Sequence, residues 1–177
     1  MADETSTPES PAADTVRAGL SEEEMRETMI RLAFGGDRGR YEAFCEAIRS
    51  GIPDNTGAVM RGSSITGHRW EDGAPFDADG PGTSDLDLTL VGGDVVGLYN
   101  PLTGFYIPGV HSKPISEKDP DIAPDLLPLR RKLIEMVGRP VNIQATRDFV
   151  MYVREHLMGQ PYLTLCGKCE EEPSSGS

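Results

Sequence analysis

Apolar residues recur along this chain with two periods, and the switches between them mark its elements. Met25, Met29, Leu32 and Ala33 follow at helical spacing behind Ser21-Glu-Glu-Glu24, a capping box with serine at the N-cap and glutamate three residues on. Gly35-Gly36 stops this helix. Asp37 caps a second helix with Tyr41, Phe44, Cys45 and Ile48 on one face, ended by Gly51 and Pro53. Ala58-Val-Met60, between Gly57 and Gly62, predicts a buried strand. Residues 63–84 are polar and glycine-rich, and 71–84 predict a flexible, acidic surface loop. From Asp85 to Val91 the period becomes two, with Leu86, Leu88 and Leu90 on one face and Asp85, Asp87 and Thr89 on the other.

The second half is less regular. Residues 99–107 predict a turn followed by a short strand, and 113–124 an open loop. Asp125 is expected to cap a helix carrying Leu129, Leu133 and Met136 and ending at Gly138. Val141–Ala145 alternates as a strand, with Asn142 and Gln144 on its polar face. Thr146 is expected to cap a last helix with Phe149, Val150, Val153 and Leu157, ended by Gly159 and Pro161. Helices and strands in this order predict an α/β (α+β) fold, a small mixed β-sheet flanked by helices.

Composition narrows the function. The chain has 177 residues and a net charge of −12, with 20 glycines and 14 prolines. The acidity argues against a nucleic-acid partner, because neutralising phosphates needs clustered Lys and Arg. Asp3, Glu4, Glu9 and Asp14 at one end and Glu170, Glu171 and Glu172 at the other account for seven of those charges, with no base among residues 1–14 or 170–177. These ends predict disordered tails over 1–18 and 166–177, leaving one domain over 19–165. No apolar run reaches the ~18 residues of a membrane span. No secretory signal precedes the domain and the cysteines number three, so a cytoplasmic protein is expected.

The chemistry concentrates in two places. Asp85 and Asp87 stand two apart on one strand face, where like charges repel unless a cation lies between them; carboxylate oxygens with phosphates and water suit Mg²⁺, with Mn²⁺ as an alternative. Upstream, the strand Val59-Met-Arg61 runs into Gly62-Ser63-Ser64, where glycine admits a phosphate close to the backbone and the N–H groups and hydroxyls can hold it. The bland readings are a half-exposed strand and an ordinary turn.

Together, Met60-Arg-Gly62-Ser63-Ser64 followed by Ser84-Asp85-Leu-Asp87-Leu-Thr-Leu resembles the nucleotidyltransferase superfamily, the fold of DNA polymerase β, as a small single-domain member. The resemblance spans about residues 40–158. It implies that Asp85 and Asp87 are catalytic and hold Mg²⁺, and that Gly62, Ser63 and Ser64 hold the triphosphate of a nucleotide. The implied reaction moves a nucleotidyl group from an NTP to an acceptor hydroxyl, on a small molecule or a protein, with release of pyrophosphate. Two departures stand out. The 21 residues between Ser63 and Asp85 exceed the family pattern, which an inserted loop accounts for. Asn142 occupies the position of a third carboxylate, and an amide cannot take a proton. The alternative is therefore a degenerate domain that binds nucleotide or a protein partner, antitoxin-like, without turnover. The acceptor is unspecified; it would have to bind to loops 94–124, to a second subunit in a homodimer or to a protein partner.

The remaining motifs each have two readings. Arg69 can reach phosphates and Trp70 can stack on a base, or the segment is a loop with one buried aromatic. His111-Ser-Lys113 is read as surface loop rather than phosphate contact, and Arg130-Arg-Lys132 as the solvated face of its helix. Asp77-Ala-Asp79-Gly resembles a calcium loop only in part, because Leu88 stands where the twelfth-position glutamate belongs. Cys166-Gly-Lys-Cys169 is half a zinc site with no second pair, and Cys45 reads as core.

Overall fold

A computed structural model describes residues 19–166. The expectations for 1–18 and 167–177, Cys169 included, concern residues outside that span. The chain opens with α1 (Glu22–Phe34) and α2 (Arg38–Gly51). Both halves of the capping box form: Glu24 N donates to Ser21 Oγ and Ser21 N to Glu24 Oε1. Gly35 closes α1 in the left-handed conformation, and Asp37 caps α2 through Arg40 N. Next come β1 (Gly57–Arg61), the four-residue α3 (Ser63–Thr66), β2 (Leu86–Val91) and the short α4 (Gly93–Val96). β3 (Phe105–Ile107), β4 (His111–Ser112), α5 (Leu127–Val137) and β5 (Val141–Thr146) follow. The chain then forms α6 (Phe149–Met151), which runs on as a π-helical turn over Tyr152–Leu157, and β6 (Tyr162–Cys166).

The strands make one mixed sheet in the order β3-β4-β5-β2-β1-β6, in which β2 and β5 are parallel and the other neighbours antiparallel. This is the α+β arrangement the patterning predicts. One face carries Ala58, Met60, Leu86, Leu88, Leu90, Val141, Ile143, Ala145, Leu163 and Leu165, and packs on α1, α2 and α5 as the main core. The period of two sends the intervening residues to the opposite face. There Val59 packs under Phe149, Tyr152 and Leu157 in a second, smaller cluster. That cover reaches only part of the face: Tyr152 bonds Thr89 at 2.8 Å, and Arg61, Asp87 and Asn142 lie at the end it leaves open. Among the described residues no helix is long and apolar enough to cross a membrane.

Several local expectations are corrected. Asp125 caps nothing: a 3-10 turn over Pro124–Leu126 leads into α5 with no side-chain cap, because Pro124 and Pro128 at its start lack the N–H a cap would satisfy. Thr146 remains in β5, and Asp148 caps the following helix through Met151 N at 2.9 Å. Arg130 does not lie on a solvated face. It is buried, with Nε donating to Val141 O at 2.7 Å and Nη2 to Glu117 at 3.3 Å. His111 is not in a surface loop. It is a buried β4 residue, stacked on His156 with centroids 4.0 Å apart, and burial pulls its pKa down to about 4. Cys166 ends β6 as a buried free thiol, rather than beginning a tail.

Candidate active site

Register brings the chemistry together. Asp87 pairs with Arg61 of β1 on one side and with Asn142 of β5 on the other, so the three form one row across the sheet. Asp85 lies just before β2, with Leu86 between the two aspartates buried in the core. Asn142 Nδ2 donates to Asp85 Oδ2 at 2.7 Å and to Asp87 Oδ1 at 3.3 Å. The two carboxylates thus converge on one amide, on the face that the alternation assigns them. Asn142 is the residue beside Asp87 at the expected third position, and it serves the pair as a donor.

Two like charges so placed cost free energy. Burial, then the charge of Asp85, pushes the pKa of Asp87 up to about 6; Arg61 and the Asn142 hydrogen bond pull the other way, and Glu71 adds to the rise. The fold therefore disfavours the ionised form of Asp87 beside Asp85.

Beside the pair, β1 ends and the chain turns at Gly62, whose φ of +95° suits glycine. A Cβ here would sit 3.2 Å from Asp87 Oδ2, so the backbone of the Gly62 turn approaches the carboxylate directly. Gly62→Ala is expected to lower stability by about 1–3 kcal/mol, as read by thermal unfolding.

A cavity of about 270 Å³ opens over these groups. Gly62, Ser63, Asp85 and Asp87 line it as expected, together with Arg69 and Trp70. Ser64 does not line it: its hydroxyl is buried and has no hydrogen-bond partner. Arg69 is already engaged, with Nε 3.3 Å from Asp72 and Nη1 3.3 Å from Asp79, so reaching a phosphate requires releasing those carboxylates. Sequence reasoning missed Arg61, Glu71, Ser84 and Gln160 in the lining. The strand period could have found Arg61, two residues beyond Val59. Gln160 comes from the turn after the last helix, and no local pattern marks it.

Among the described residues, no group of three or more His, Cys, Asp and Glu side chains is arranged to hold a metal ion. The oxygen set present is the aspartate pair. It suits a cation that takes one or two protein carboxylates and completes its shell with phosphate and water. The close approach of Gly62 to Asp87 means that a side chain at this turn would press on the carboxylate.

Fold and site together define a mixed-sheet α+β domain with a paired-carboxylate cleft beside a glycine turn. Comparison of the chain with protein-family models, curated proteins and solved structures finds no match.

Proposed function

We propose that the protein is a Mg²⁺-dependent nucleotidyltransferase, moving a nucleotidyl group from an NTP to an acceptor hydroxyl with release of pyrophosphate. The observation that carries this reading is the convergence of Asp85 and Asp87 on Asn142, beside the Gly62-Ser63 turn and within one cavity. Asp85 and Asp87 would hold Mg²⁺, which when bound neutralises the pair and the phosphate charge. The backbone at Gly62 and Ser63 would seat the triphosphate, and Trp70 would offer a face to the base. Among the described residues Glu71 has no hydrogen-bond or ion-pair partner, and it lines the same cavity. It is the carboxylate available to take the proton of the acceptor hydroxyl where Asn142 cannot.

A second reading, nucleotide or partner binding without turnover, is favoured by Asn142. With that amide bridging the pair, Asn142 and its two partners supply two carboxylates instead of three. One assay separates the readings: incubation with Mg²⁺ and each labelled NTP, with and without cell lysate. Label transfer and pyrophosphate release, abolished in Asp85→Ala, support transfer. Saturable binding without release supports the second reading.

A further inference from the structure

Asp85 poses a problem of support. The alternating pattern places it in a strand, but β2 begins at Leu86, so Asp85 stands just outside the strand that would fix its backbone. It is nonetheless held closely enough to accept a 2.7 Å bond from Asn142. The loop ahead of it supplies the restraint.

Asp77, in the inserted segment, is saturated with donors. Its Oδ1 accepts from Arg139 Nη1 at 2.8 Å and from Ser84 N at 2.9 Å; its Oδ2 accepts from Arg139 Nη2 and Gly82 N, each at 3.2 Å. Asp77 N donates to Ser84 Oγ at 2.7 Å. Arg139 Nη1 also donates to Ser84 O at 2.9 Å, and its guanidinium lies 4.5 Å over the Phe76 ring. The Arg139 side chain is only 9% exposed. On the other side of Asp85, Leu86 N donates to Pro140 O at 2.9 Å, and Pro140 follows Arg139 in the chain. The residues flanking Asp85 are thus both tied to Arg139–Pro140.

This arrangement exceeds what a connecting loop requires. Burying the Arg139 guanidinium costs desolvation, its Nε is left without a hydrogen-bond partner among the described residues, and Asp77 adopts a φ of +60° that a non-glycine residue rarely takes. All of it converges on Ser84, a cavity-lining residue and the immediate neighbour of Asp85.

We propose that Asp77 and Arg139 are positioning residues of the active site: their ion pair clamps Ser84 so that the Asp85 carboxylate is held beside Asp87. The metal-binding part of this inference rests on the proposed function; the geometric part does not. Outer partners that orient a metal-binding side chain are worth about 10–100-fold in metal affinity.

The test uses the full chain with Arg139→Lys, which keeps the charge and loses the fork, and Asp77→Asn, which keeps the shape and loses the charge. Two quantities are read well below the melting temperature of each variant: solvent exchange of the Asn142 side-chain amide protons by NMR, and Mn²⁺ affinity by electron paramagnetic resonance. Both variants are expected to exchange those protons about tenfold faster and to bind Mn²⁺ about tenfold more weakly. Folded variants with a lowered melting temperature but unchanged Asn142 exchange would overturn the clamp. If the wild-type protein binds no Mn²⁺, the nucleotidyltransferase reading fails, and the Asn142 amide still decides the clamp on its own.

Discussion

Asn142→Asp is expected to lower stability by about 2–3 kcal/mol in the absence of divalent cations, and saturating Mg²⁺ or Mn²⁺ is expected to restore most of the loss. The amide now gives both carboxylates a donor, at 2.7 and 3.3 Å. Aspartate would remove those hydrogen bonds, of a class worth about 1.5–3 kcal/mol when one partner is charged, and set a third negative charge beside two others. A bound divalent cation would offset most of that charge, turning three repelling groups into three ligands. Thermal unfolding with and without Mn²⁺ reads both effects. Under the proposed function the same change also strengthens metal binding, because it supplies the carboxylate missing from the strand.

The second large effect is opposite for stability and for function. Asp87→Asn is expected to raise the melting temperature near neutral pH and, under the proposed function, to reduce Mg²⁺-dependent turnover by about 10²–10³-fold. The fold raises the Asp87 pKa from 3.8 to about 6, so folding disfavours its ionised form. For a group raised in this way the stabilising contribution is complete below 3.8 and is lost as the pH climbs through about 6. Asparagine resembles the neutral acid at every pH. The advantage of the variant is therefore greatest near neutrality and shrinks as the pH falls through about 6 towards 4. Melting curves across that window check the sign: a variant advantage that grows on acidification would mean that Asp87 is not held above its usual range.

These predictions rest on features of differing legibility. The aspartate pair, the glycine turn and Asn142 could be read directly, because strand alternation assigns faces and the pairing of β2 with β5 then sets Asn142 beside Asp87. The capping box of α1 and the Asp37 cap of α2 were equally plain, since local hydrogen bonds decide them. β6 carries a legible alternation at Leu163 and Leu165, but it begins directly after Gly159 and Pro161 and is followed by Gly167 and an acidic run. Those breakers outweigh five residues of pattern. β4 has only His111 and Ser112, and no periodicity exists in two residues. His111 is buried under Tyr152 and His156, and Ser112 accepts a hydrogen bond from Ala145 N, both tertiary facts.

The segment between the two motifs shows the same limit from the other side. Its composition, rich in Gly, Asp and Pro, reads as a mobile acidic loop. The structure instead anchors it through Asp77 and Arg139, which are 62 residues apart. Arg139 sits between the glycine that ends α5 and the proline before β5, where nothing local distinguishes it from a solvated arginine. Arg130 is a similar case, buried with its donors on Val141 O and Glu117. Long-range ion pairs leave no period in the sequence, so the walls of the cavity were less readable than its floor.

Under the proposed function, the cleft over Asp85 and Asp87 takes a nucleoside triphosphate with Mg²⁺. Trp70 lines that cleft and is the only tryptophan in the chain, so its fluorescence reports on ligands entering the site. The direct measurement titrates each NTP into the full chain with and without Mg²⁺, following Trp70 fluorescence and heat release together. The account predicts a saturable response to at least one NTP that requires Mg²⁺ and disappears in folded Asp85→Asn. A folded wild-type protein that gives neither a fluorescence change nor heat with any NTP and Mg²⁺ would contradict it.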